Sequence, residues 1–122
     1  MTPKILAALS MVLTLAGNAA ASDVVSQHGG RAVEAGEYHV ELVAKADTVD
    51  VFLADHGNKA VRSTGFKGLA ILMVDGKSQL IVLAPAGESR LSGKAAGALP
   101  GAVKGVVQIT LPSGKTVQAR FN

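Results

Sequence analysis

Three histidines and two neighbouring carboxylates are the groups in this 122-residue chain whose types and spacing suggest chemistry. His28 precedes Gly29-Gly30, His39 stands two residues before Glu41, and His56 directly follows Asp55. Imidazole combined with carboxylate suits a borderline divalent transition metal, with zinc or copper(II) favoured and nickel and cobalt accommodated. The chain has no cysteine and only three methionines, so a soft copper(I) site is unsupported. His28, His39, Glu41, Asp55 and His56 are therefore the candidate metal ligands.

The elements that must position them read as strands. Residues 38–45 alternate: Tyr38, Val40, Leu42 and Ala44 share one face, and His39, Glu41, Val43 and Lys45 share the other. Positions 39 and 41 of a strand project from the same side about 7 Å apart. Residues 49–54 form a second β-rich run. A turn at Asp47-Thr48 would pair 44 with 51, 42 with 53, Lys45 with Asp50 and His39 with His56. Opposed Cβ atoms lie about 5 Å apart, close enough for two imidazoles to hold one ion. Asp55 would fall on the core face and could join only if the strand ends before it. His28 would be an extra ligand swung in from the N-terminal segment, at about 1–2 kcal/mol per residue ordered.

The rest of the chain repeats the strand-and-turn pattern. Short strands are expected around 31–34, 69–74, 80–84, 103–111 and 116–121, with Asp75-Gly76 and Pro112-Ser113-Gly114-Lys115 as turns. Ser92 to Leu99 reads as a loop, because Gly93, Gly97 and Pro100 interrupt it. The fold class is all-β, a small antiparallel β-sandwich or barrel of six to seven strands. The runs 69–74 and 80–84 are apolar on both faces and read as central strands covered on both sides. The core is expected from Val40, Leu42, Val51, Leu53, Ile71, Leu80, Val82, Val107 and Ile109.

Residues 1–21 carry the features of a secretory signal peptide. Lys4 supplies a positive start, 5–15 is apolar and uncharged, and Ala19-Ala20-Ala21 supplies small residues for cleavage. The apolar run is too short to cross roughly 30 Å of hydrocarbon as a helix. Residues 22–122 then form a single β domain, without membrane insertion after signal removal. A disulfide-free exported chain suits the periplasm.

The formal charge of +3, spread along the chain, is no nucleic-acid footprint, and it drops by one when Lys4 leaves. No serine sits in a nucleophile-elbow context, no acids form a glycosidase pair, and no glycine pattern follows a strand and opens a helix. The chain is therefore expected not to be an enzyme.

The segments His28-Gly29-Gly30, 36–43 and 55–61, with 83–87 and 114–121, resemble a small periplasmic β-domain. That domain is associated with cobalt-zinc-cadmium and copper type efflux adaptor proteins. The likeness spans nearly all of residues 22–122, although Ala60 stands where the family commonly has proline. It implies a link to heavy-metal resistance and an efflux adaptor or other periplasmic protein as partner. The functional expectation is periplasmic binding or buffering of a divalent transition metal in support of efflux. The alternative is a non-catalytic structural or protein-interaction module without metal, which would use the apolar run at 69–74.

Overall fold

Turn chemistry and apolar alternation divide the chain into eight strands. The computed structural model describes residues 24–122, so the expected signal peptide lies outside the described residues. The strands are β1 (Arg31–Ala35), β2 (Tyr38–Lys45), β3 (Thr48–Asp55), β4 (Lys67–Val74), β5 (Lys77–Ala86), β6 (Arg90–Lys94), β7 (Lys104–Thr110) and β8 (Thr116–Phe121). All pair antiparallel, in the order β1-β2-β3-β6-β5-β4-β7-β8. The sheet curls into a nearly closed barrel, so the all-β expectation holds. Arg31 spans the seam between the end strands. Its guanidinium donates to the carbonyls of Val103 (3.1 Å) and Asn122 and lies 6.0 Å from the Phe121 ring centroid. No helix among the described residues is long and apolar enough to cross a membrane.

The unexpected eighth strand is β6, whose Ser92–Lys94 stretch reads as loop in the sequence. It is held by long-range pairing: Leu91 sits opposite Val51 of β3 and Pro85 of β5. Leu91 points inward and is fully buried. A local pattern of one inward leucine between polar and glycine residues cannot announce such a strand.

Val40, Leu42, Val51, Leu53, Val107 and Ile109 are buried as expected, but Ile71, Leu80 and Val82 are not. The faces of β4 and β5 are reversed. Ala70, Leu72, Val74, Ile81 and Leu83 point into the core, while Leu80 and Val82 are 68% and 76% exposed. Size decides this phase. Gly68 shares the inward face of β4, and a Cβ there would stand 3.0 Å from Leu83 and Leu91 side chains. The narrow interior takes the glycine-alanine end of that face and leaves the bulkier Leu69, Ile71 and Met73 outside. These strands are thus covered on one side only.

The Asp75-Gly76 turn forms as expected. Both residues have positive φ (52° and 75°), and Val74 pairs with Lys77, as a two-residue hairpin requires. The β2–β3 hairpin turns instead at Ala46-Asp47, with Lys45 opposite Thr48. The register therefore differs by two residues from the expected one. His39 faces Ala54 rather than His56, and Asp50 faces Val43 rather than Lys45. Ala46 has φ 54°, an unfavourable conformation for a residue with a Cβ. Distant backbone holds it: Ala95 N–H donates to the Asp47 carbonyl (2.7 Å), and Leu99 N–H donates to that of Ala46 (2.8 Å). A shift of two keeps every side chain on its own face. Val40, Leu42, Val51 and Leu53 stay inside, and His39 stays outside.

Candidate metal centre

The outer face of the first three strands carries two separate polar clusters. In the first, the β1–β2 hairpin sets Glu34 directly opposite His39. His39 Nε2 lies 3.7 Å from Glu34 Oε1. His56 follows the end of β3, and its ring meets that of His39 edge-on at 5.3 Å between centroids. One donor atom from each of Glu34, His39 and His56 lies within 4.8 Å of the others. Donors around a tetrahedral zinc with bonds of about 2.0–2.1 Å sit roughly 3.3 Å apart, so this set would draw in by up to about 1.5 Å to close on an ion.

The turn after β3 does the positioning. Asp55 Oδ1 accepts from the N–H groups of Gly57 and Lys59, both at 2.9 Å. Asn58 N–H donates to the Asp55 carbonyl (3.0 Å), and Asn58 adopts φ 62°, which its side chain tolerates. The turn aims Asn58 at His39, with Oδ1 2.9 Å from Nδ1. An amide oxygen only accepts, so this contact requires a hydrogen on Nδ1, and in the neutral ring Nε2 is then the nitrogen that presents a lone pair. The His39 side chain is only 13% exposed, which restricts the ring further.

The second cluster is built on Glu41, which is 6% exposed. Its carboxylate accepts from the N–H groups of Gln27, His28 and Gly30 and from His28 Nδ1, at 2.8–3.1 Å. The His28 ring stacks on Phe52 at 3.7 Å, with the planes 7° apart. Residues 27–30 are thereby strapped across β2 and β3. Burial pushes the Glu41 carboxyl up, but the hydrogen bonds from the His28 side chain and the three backbone groups outweigh it. The net effect holds Glu41 below its ordinary value of 4.5.

The five sequence candidates thus divide by place. His39 and His56 come together. His28 and Glu41 pair with each other, and Asp55 braces the turn. His28, His39, Glu41 and Asn58 nonetheless line one small pocket. Glu34 and Asn58 are not among those five candidates. The sequence carries a signal for Glu34, since a two-residue turn at Gly36-Glu37 pairs 34 with 39. Asn58 carried no such signal, because its role depends on a turn braced by Asp55. The chain matches no family model, no curated protein and no solved structure.

Proposed function

We propose that the protein binds a divalent transition metal, zinc or copper(II), through Glu34, His39 and His56. The observation that carries this reading is the convergence of three donors within 4.8 Å, with His39 Nδ1 hydrogen-bonded to Asn58 Oδ1. A histidine whose second nitrogen is hydrogen-bonded is oriented for metal binding. Three protein ligands leave a fourth position open, which suits an ion that is taken up and handed on rather than one locked into a structure. Binding and buffering, not catalysis, is the activity.

The signal-like features of 1–21 support a periplasmic setting. The resemblance to efflux-adaptor domains supports a role in heavy-metal resistance, with an adaptor or another periplasmic protein as the exchange partner. Calorimetric titration of the purified protein with zinc and with copper(II) tests the proposal. One ion per chain is expected, with proton release on binding and weaker affinity in Glu34→Ala. Absence of binding by both ions overturns it.

A further inference from the structure

The outer face of β4 and β5 is apolar at its centre and cationic at its frame. Leu80, Val82 and Met73 are 68%, 76% and 46% exposed, with Leu69 and Ile71 half-buried beside them. The registers make this one continuous surface: Leu69 lies opposite Val82, and Ile71 opposite Leu80. A groove between 65–69 and 82–85 continues it, floored by Phe66, Leu69 and Pro85. Contiguous exposed apolar surface of this kind marks an interaction site.

Charge identifies what fits it. Strands β4 to β8 contain no acidic residue at all. From residue 67 to the end, seven cations stand against Asp75 and Glu88, whereas residues 24–66 hold four cations and six acids. Lys67 and Lys104 lie at opposite ends of the face, Arg120 lies beyond Val106, and Lys94 lies along the β6 side. None of these four makes an ion pair among the described residues.

We propose that this face of β4 and β5 rests on an anionic lipid surface. The aliphatic ridge of Leu80, Val82 and Met73 would enter the headgroup boundary, and the framing lysines would meet lipid phosphates. Buried apolar area and attraction of cations to anionic lipid together set the strength of such adsorption. Lysines suit it because their flexible stems follow apolar surface while a compact charge reaches a diffuse anionic layer. A second copy related by a two-fold axis would set cationic frame against cationic frame, with only Asp75 and Glu88, in the turns that flank β5, to meet either. β4 stands four places from β2 in the eight-strand order, so the His39 cluster faces away from the lipid. The inference does not depend on metal binding.

Vesicle co-sedimentation tests it with two probes, phosphatidylcholine alone and phosphatidylcholine with phosphatidylglycerol in equal parts. The protein is expected to pellet with the anionic vesicles only, less so as ionic strength rises. Leu80→Ser/Val82→Ser should lower partitioning about ten-fold or more, as two aliphatic side chains lose their apolar contact. Both positions are exposed, so circular dichroism should show an unchanged strand signal. Lys67→Gln/Lys104→Gln should also weaken binding, and more than Lys115→Gln, which removes a charge at the β7–β8 turn. Failure to bind anionic vesicles, which leaves the face to a protein partner, overturns the proposal. So does undiminished binding by Leu80→Ser/Val82→Ser, or a dimer in sedimentation velocity that this variant dissolves.

Discussion

His39 Nδ1 lies 2.9 Å from Asn58 Oδ1, a contact that requires a hydrogen on Nδ1 and, in the neutral ring, leaves the lone pair on Nε2. The side chain that makes it comes from a turn built by Asp55, four residues before Lys59 in the same brace. A residue identified in the sequence as a ligand thus serves as the support that brings His39 and His56 into one arrangement.

The consequence for metal affinity is direct. Asn58→Gly removes the amide while tolerating the positive φ of this position, which alanine would not. Zinc affinity should fall about 10–100-fold, as for loss of other partners that orient ligands. Far-UV circular dichroism should be unchanged. An affinity equal to that of the unmodified protein would show that the ring needs no orientation.

The reversed faces of β4 and β5 give a stability test. Leu42 is buried on β2, so Leu42→Ala should cost about 2–5 kcal/mol in denaturant unfolding. Leu80→Ala, at a site that is mostly solvent-exposed, should stay within about 0.5 kcal/mol. A large cost at Leu80 would return that side chain to the core.

What the sequence could and could not show follows from these same residues. In β2 the alternation from Tyr38 to Lys45, broken only by Val43 on the polar face, marks the core face, and the structure keeps Val40 and Leu42 on it. The runs in β4 and β5 are apolar in both phases, so periodicity is silent and the choice falls to interior space around Gly68. The position of the β2–β3 turn rests on backbone bonds from Ala95 and Leu99, about fifty residues away. No local reading of Asp47-Thr48 could find them. At the candidate site, the shared face of His39 and His56 survived because the register error was an even number of residues. The separation of Glu41 from them did not show, because the strap of residues 27–30 that claims its carboxylate carries no periodic pattern.

Glu41 makes the fold sensitive to acid. Its carboxyl is held below 4.5 by the bonds from His28, Gln27 and Gly30. A group depressed in the folded state stabilises that state above its unfolded value, and the stabilisation is lost as pH falls through the folded value. Strap protection in amide exchange should therefore hold at neutral pH and decline below pH 4.5. Glu41→Gln should cost about 1–3 kcal/mol and loosen the strap at every pH, because buried donors lose a charged acceptor. Strap protection that persists in Glu41→Gln would contradict this role.

The central claim is that His39 and His56 share one ion, and zinc titration by calorimetry of the single and double alanine variants tests it most directly. Protons compete for the same lone pairs, so the titrations belong at a fixed neutral pH. His39→Ala and His56→Ala should each weaken binding strongly, and the double variant should lose little more than either, because the chelate is already broken. Additive, independent losses, or binding that survives both substitutions, would contradict a shared ion.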